Sequence, residues 1–316
     1  MSAACDRGDD DRDDNPRRSR GVALVAVLWI SSLLALLAAG AASSSRTDLR
    51  LAANAADHAR ARALADAGVQ QAVFQLLTRP EAQPWRDGAV SLQFALDGGD
   101  VRFRLQDEDA KLDVNAASKD LLAGLFQAVG LDEEGALTLA DRLEDFRDED
   151  DDPEPRGAED DDYLAAGYPR GALDRRLLDV SELTGLLGMS DDLYQRVEPF
   201  LTVYADADGI DPTRAPATVL LALPGMSPDL AATLAAAPAD GDPLEALPED
   251  LADDIQAYLI PSRDLVFSIE SLGTSEGGGR FMREAVVALD GGVRHLPYTL
   301  YAWHPGRLPS PEPGDR

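Results

Sequence analysis

The stretch Val22–Ala42, VALVAVLWISSLLALLAAGAA, decides the first element of the fold. It contains no charged residue, and as a helix it would be about 31 Å long, which matches one hydrocarbon core. A basic cluster of Arg17, Arg18 and Arg20 precedes it, and no comparable cluster follows directly. Charge bias of this kind keeps the N-terminus in the cytoplasm and sends the rest of the chain across the membrane. The sequence therefore predicts a single-pass membrane anchor.

Helix-favouring residues continue beyond this stretch, and no proline occurs until Pro80. Small and apolar residues recur there at three- and four-residue steps, which predicts an amphipathic helix with a narrow alanine-rich stripe. The stripe comprises Leu49, Ala52, Ala53, Ala56, Ala59, Ala63, Ala67, Val73 and Leu77. One helix from Val22 to Leu77 would be about 80 Å long. A cleaved secretory signal is the alternative for the apolar residues, but the unbroken helical pattern favours one long helix.

Strand patterns flank a long helical block in the rest of the chain. Val90–Leu96 and Val101–Gln106 alternate apolar and polar residues around a Gly-Gly turn, which is typical of a β-hairpin. Three further strands are predicted at Asp264–Leu272, Phe281–Leu289 and Val293–Trp303. Residues between these groups have helical periodicity. The order of strands, helices and strands predicts an α+β fold, in which a large all-α domain is inserted between strands of an antiparallel sheet.

Composition excludes several classes of function. The 316 residues include 58 Asp and Glu against 29 Lys and Arg, giving a formal net charge of −29. Such a field repels phosphate backbones, so we expect no nucleic-acid partner. The single cysteine, Cys5, excludes both an internal disulfide and a cysteine-ligated zinc site. We also find no nucleophile paired with a base and no phosphate-binding loop, so we expect no enzymatic activity.

The acidic run Asp141–Asp162, DRLEDFRDEDDDPEPRGAEDDD, is the strongest chemical feature of the sequence. Calcium prefers six to eight oxygen ligands, many of them carboxylates from one loop. The candidate calcium ligands are Asp148, Asp150, Asp152, Glu159 and Asp162. The first three have the spacing with which a calcium loop starts, although a proline at the sixth position excludes an EF-hand. A solvated acidic loop is the alternative.

Two segments of the helical block form a near-repeat. Leu112–Ala117 precedes a predicted helix at Ser118–Ala128, and Ile210–Ala215 precedes another at Pro216–Leu223. In each segment an aspartate stands two positions before Asn or Thr, where it can brace the turn into the helix. Both segments resemble helix–hairpin–helix units, many of which bind DNA. The acidic surroundings favour a structural hairpin over a DNA-binding one.

The N-terminal region resembles the type IV pilins and the pseudopilins of type II secretion. In that family a prepilin peptidase cuts after a glycine, here Gly21, and methylates the new N-terminus, here Val22. Most members have Glu as the fifth residue of the mature chain, where this sequence has Ala26. The K-type minor pseudopilins share this departure. RGVALVAVLWISSLLALLAAG followed by RARALADAGVQQAV resembles them in particular.

This resemblance implies a location, partners and a cofactor. The mature chain would lie in the inner membrane with a periplasmic C-terminal part. It would sit at the tip of a pseudopilus, with other minor pseudopilins in a tip complex and with the major pseudopilin below. The helical domain would bind calcium. A membrane-anchored DNA receptor and a secreted acidic calcium-binding protein are the remaining alternatives.

The resemblance also implies a division of the chain. The expected parts are a leader at 1–21, a transmembrane half-helix at 22–42, a discontinuous pilin-like domain at 43–106 and 263–305, an inserted helical domain at 107–262 and a flexible tail at 306–316.

Overall fold

The structure is a computed structural model that describes residues 17–78, 89–236, 244, 247–261, 266–289 and 297–308. The predicted loop around Pro84, the start of the last predicted strand and the expected tail beyond residue 308 lie outside these residues. The chain divides into two compact units, Met1–Ala56 and Asp57–Arg316. The first helix, α1 (Arg17–Thr78), has residues in both units.

Within the first unit, α1 contains one apolar segment, Val22–Gly40, that is long enough to cross a membrane. All side chains of this segment are exposed. It is the single candidate span among the described residues. The expectation of an apolar N-terminal helix is therefore confirmed.

The second unit contains a five-stranded antiparallel sheet, whose strands lie side by side in the order in which they follow one another along the chain. Its strands are β1 (Ala89–Leu96), β2 (Gly99–Asp107), β5 (Val266–Ser275), β6 (Arg280–Ala288) and β7 (Thr299–Pro305). A strand was predicted at each of these five places, and β2 pairs with β5 across the helical block. The predicted α+β fold, with helices inserted between strands of one sheet, is confirmed.

The C-terminal part of α1 packs on this sheet through small side chains. Its buried residues are Ala61, Leu64, Ala65, Gly68, Val69, Ala72, Val73 and Leu76. The helix comes so close that a Cβ on Gly273 of β5 would lie 2.1 Å from the carbonyl oxygen of Ala61. Of the predicted alanine stripe, Val73 faces the sheet, whereas Ala59 and Ala63 are exposed. Of the stripe residues within the second unit, most are therefore exposed rather than buried against the sheet.

In its described residues the inserted block forms seven short α-helices and a separate core. The helices are α2 (Lys119–Ala128), α3 (Glu133–Arg147), α4 (Asp160–Ala165), α5 (Asp191–Val197), α6 (Ala217–Leu220), α7 (Pro228–Ala235) and α8 (Glu249–Ile255). A parallel pair of two-residue strands, β3 (Leu112–Asp113) and β4 (Leu201–Thr202), lies beside them. Leucines from most of these helices fill the core, with Phe126 and Tyr163 fully buried among them.

Both halves of the near-repeat form the predicted braced turns. The Asp113 carboxylate accepts a hydrogen bond from the Asn115 amide at 2.8 Å, and Asp211 accepts one from the Thr213 amide at 2.8 Å. Ser118 then caps α2 through its hydroxyl, which accepts a hydrogen bond from the Leu121 amide. The same local chemistry thus starts a helix at both places in the inserted block.

Candidate metal centre

The acidic run folds into the end of one helix, a loop and the start of another. Helix α3 ends at Arg147, and Asp148 follows it as the C-cap. Residues 148–159, which we call the acidic loop, lead to α4, whose N-cap is Glu159. Asp148 and Glu159 therefore stand at the two ends of the acidic loop.

These two carboxyl groups each have a buried oxygen without a hydrogen-bond partner, Oδ1 of Asp148 and Oε1 of Glu159. Desolvation, with the charges of Asp150 and Asp145, raises the pKa of Asp148 to about 6. Desolvation, with the charges of Asp145 and Asp148, raises the pKa of Glu159 to about 7. A buried carboxylate without a partner is unstable when ionised. A cation would supply the missing partner for both.

The other three predicted ligands are placed differently. Asp150 lies beside Asp148, and its Oδ1 accepts a hydrogen bond from the Asp152 amide at 3.0 Å. Asp150 and Asp152 are both exposed. The Oδ2 of Asp162 accepts a hydrogen bond from the Glu159 amide at 3.2 Å, as part of a capping box at the start of α4. The structure thus places Asp150 near Asp148, places Asp148 near Glu159, and engages Asp162 in the helix cap.

Sequence reasoning missed a further carboxylate, Asp174. Its backbone has a left-handed conformation, with φ of 51°. Desolvation and the charges of Asp160 and Asp151 raise its pKa, so it lies next to the acidic run. It also adds to the raised pKa of Glu159. No spacing pattern reveals Asp174, because it stands alone 12 residues beyond the run.

This donor set fits a hard cation. The oxygens are carboxylates, two of them lack any other partner, and nearby charges of the same sign repel one another. Calcium takes such oxygens in a flexible shell of six to eight ligands. Within the described ranges, no three His, Cys, Asp or Glu side chains already stand in a metal-binding geometry. Ion binding would therefore require the carboxylates to draw closer together.

The hairpin between α2 and α3 satisfies its amides internally. The Asp132 carboxylate accepts a hydrogen bond from the Gly135 amide at 2.9 Å and caps α3. Glu133 and Glu134 follow in the first helical turn. In a DNA-binding hairpin, amides at this position would meet a phosphate, which the acidic side chains here would repel. This geometry favours a structural hairpin.

The predicted processing site, Gly21 and Val22, lies inside helix α1. Val22 is exposed and begins the apolar segment that ends at Gly40. Cleavage after Gly21 would therefore leave that segment intact at the new N-terminus. The leader itself, up to residue 16, lies outside the described residues.

Several known proteins are similar to this chain in sequence. A family model for type II secretion system protein K matches residues 101–206. Type II secretion system protein K of Klebsiella pneumoniae is 30% identical over 69% of this chain and 70% of its own length. The Pseudomonas aeruginosa protein of the same name is 29% identical over 66% of this chain and 68% of its own length.

The fold also matches a solved structure. A chain of the GspK-GspI-GspJ complex from the enterotoxigenic Escherichia coli type 2 secretion system superposes with a TM-score of 0.60. It has 22% sequence identity, and the match covers 84% of this chain and 99% of that one. With the apolar N-terminal helix and the sequence relatives, these findings show that the chain belongs to the type II secretion system protein K family, a family of minor pseudopilins.

Proposed function

We propose that this chain is the tip subunit of a periplasmic pseudopilus and takes part in its assembly and in the export of folded proteins. It is held in the inner membrane with its N-terminus in the cytoplasm, and prepilin peptidase processes it after Gly21 and methylates Val22. It acts as a structural subunit rather than as an enzyme. The observation that carries this proposal is an exposed apolar face of α1.

The outer face of α1 consists of exposed residues at helical spacing, all of them apolar except Gln70. They are Ala59, Ala63, Gln70, Phe74 and Leu77. Phe74 is 58% exposed and Leu77 is 39% exposed, although both lie next to residues of the sheet-facing core. Two large apolar side chains exposed one helical turn apart favour contact with a protein partner over contact with solvent. The alanines at the other end let a second helix approach closely.

The partners that suit the outer face are other pseudopilins, because each would offer a long helix of the same kind. The solved neighbour is itself a complex of GspK with GspI and GspJ. We therefore propose that minor pseudopilins related to GspI and GspJ cover the outer face. The major pseudopilin would then continue the filament below them.

Ala26 supports the tip position. A carboxylate in the bilayer is costly unless it is paired. In the pilin family, the fifth mature residue is usually a glutamate that is taken to pair with the N-terminus of a neighbouring subunit. With alanine at this position, the chain does not need a neighbour above it to neutralise a charge.

The acidic loop adds a calcium site to this function. Asp148 and Glu159 would hold the ion, and Asp150 and Asp174, whose charges act on these two groups, would complete its shell. The ion would replace repulsion between these carboxylates with attraction and would tie the end of α3 to the start of α4. We expect the calcium ion to have a structural role, because it would link two helices and would take part in no reaction.

The outer face can be tested with one charge placed on it. Phe74→Glu should leave the protein folded, because this side chain is already more than half exposed. It should abolish secretion and the recovery of minor pseudopilins with the purified full-length protein. Leu178→Glu is the matched control, since Leu178 is 71% exposed but lies in the inserted block. If secretion and recovery survive in Phe74→Glu, the outer face does not bind partners.

A further inference from the structure

The carboxylate of one buried aspartate accepts hydrogen bonds from backbone amides of the acidic loop. Asp145 lies on α3 and has no exposed surface. Its Oδ2 accepts a hydrogen bond from the Ala158 amide at 2.7 Å, and its Oδ1 accepts one from the Glu154 amide at 3.0 Å. Both carboxylate oxygens are thus already engaged. Gly157 lies against this carboxylate so closely that a Cβ there would be 1.7 Å from Oδ2.

The same geometry occurs a second time nearby. The Oδ1 of Asp160 accepts a hydrogen bond from the Ala172 amide at 3.0 Å. A Cβ on Gly171 would lie 1.6 Å from that oxygen. In both places an aspartate carboxylate accepts a hydrogen bond from the alanine amide of a Gly-Ala dipeptide and lies in close contact with the glycine. We call these two arrangements the Asp145 clamp and the Asp160 clamp.

Each clamp fixes a residue of the proposed calcium site. Glu159 directly follows Ala158, and Asp148 lies one helical turn after Asp145. The Asp145 clamp therefore sets the distance between the two ends of the acidic loop. Asp174 lies two residues after Ala172, so the Asp160 clamp places the segment that carries it.

A neighbouring aspartate supports the first clamp from the same helix. Asp141 lies one turn before Asp145, and its Oδ2 accepts a hydrogen bond from the Arg156 amide at 3.3 Å. The amides of Glu154, Arg156 and Ala158 thus all point at carboxylates of α3. These hydrogen bonds hold the acidic loop along α3 without using the carboxylates of Asp148 or Glu159.

We propose that Asp145 is a positioning residue that holds the acidic loop in its ion-binding shape before calcium arrives, and that it does not bind the ion itself. The Asp160 clamp does the same for the segment of Asp174. This inference rests on the proposed calcium site. Carboxylates that orient metal ligands without contacting the metal typically change the metal affinity about 10–100-fold.

The first test uses the full-length protein in detergent with a chelator and needs no ion. Asp145→Asn keeps the side-chain volume but replaces one acceptor oxygen with a donor. Hydrogen exchange at the amides of Glu154 and Ala158 should then be faster than in the wild type. Asp152→Asn removes the same charge from an exposed position of the same loop, and should leave that exchange unchanged. Equal exchange in Asp145→Asn and the wild type would overturn the clamp.

Terbium is the probe for the second test, because its luminescence lifetime counts the water molecules bound to the ion. Asp145→Asn should weaken terbium binding about 10–100-fold without changing that number. Asp148→Asn removes a ligand and should raise the number. A rise in Asp145→Asn would mean that Asp145 is itself a ligand, which contradicts the proposal.

A further variant covers the case in which Asp145→Asn does not fold. Gly157→Ala keeps the carboxylate but pushes it away from the Ala158 amide, so it should reproduce the faster exchange and the weaker binding. If the wild type binds neither terbium nor calcium, the calcium site fails, and hydrogen exchange still decides whether the Asp145 clamp exists.

Discussion

Asp148 and Glu159 make the stability of the ion-free protein depend on pH. Their pKa values of about 6 and about 7 lie above the usual values of unfolded chains. Between about pH 4 and pH 7 the folded protein therefore binds more protons than the unfolded chain, and it loses stability as the pH rises. We expect the Tm in chelator to be higher at pH 5 than at pH 7.5. Asp148→Asn with Glu159→Gln should flatten this slope.

The stabilisation by calcium should increase as the pH rises, whereas the ion-free protein loses stability. At 100 times its Kd, calcium would add about 2.7 kcal/mol at pH 7.5. It would add far less at pH 5, where protons compete for the same oxygens. Sodium chloride at matched ionic strength is the control, because screening alone would stabilise an acidic loop without a site. Equal stabilisation by sodium and calcium would leave a solvated loop.

Gly21 gives a second prediction at the scale of one residue. Gly21→Leu should leave the leader attached and stop secretion, because prepilin peptidases of the pilin family cut after a small residue. Mass spectrometry of the N-terminus would show the uncut chain instead of one that starts at N-methylated Val22. Gly40→Leu is the control, since Gly40 lies in the same apolar segment with open space around it. Normal processing of Gly21→Leu would contradict the proposed cleavage site.

Single residues were predictable from the sequence where spacing along the chain decides their neighbours. The position of Asp148 and Glu159 at the two ends of one short acidic loop could be predicted, because both lie within a single carboxylate-rich run. Asp145 could not be given a role, since its partners are backbone amides that only the folded loop brings to it. Asp174 was missed because the segment that carries it returns to the site through the tertiary fold.

At the scale of elements, the contact between α1 and β5 depends on the absence of a side chain at Gly273. Gly273→Ala would place a Cβ 2.1 Å from the carbonyl oxygen of Ala61, which α1 cannot relieve without moving off the sheet. We expect a loss of about 1–3 kcal/mol in the free energy of unfolding. Gly185→Ala is the control, because its Cβ would meet only Phe146 at an ordinary 3.6 Å. Equal denaturant midpoints for both variants would contradict this packing.

Elements were predictable where a period repeats several times. The first two strands of the main sheet were found because they alternate apolar and polar residues, and the last three because glycine-rich turns separate runs of strand-forming residues. Strands β3 and β4 have two residues each, too few for any period. The face of α1 that packs on the sheet could not be predicted, since small residues occur on both faces of this helix and only the position of the sheet selects Ala61 and Ala65.

At the scale of the whole second unit, a buried ion pair connects the sheet to the inserted helices. Nη1 of Arg214, near the end of the repeat segment Ile210–Ala215, donates to Oδ2 of Asp107, at the end of β2, over 2.7 Å. Both side chains are almost fully buried. Removing one partner of such a pair typically costs about 3–5 kcal/mol, because the other charge stays buried. The pair thus couples two cores that are separate in composition.

Arg214→Met should therefore do more than lower stability. We expect the wild type to unfold in one transition and Arg214→Met to unfold in two, with the inserted helices and the sheet followed separately by denaturant titration. Adding Asp107→Leu should restore part of the loss, since it removes the buried carboxylate that has lost its arginine. Arg176→Met is the control, because its ion pair with Asp206 is exposed and contributes little. A single unshifted transition in Arg214→Met would mean that apolar packing alone joins the inserted helices to the sheet.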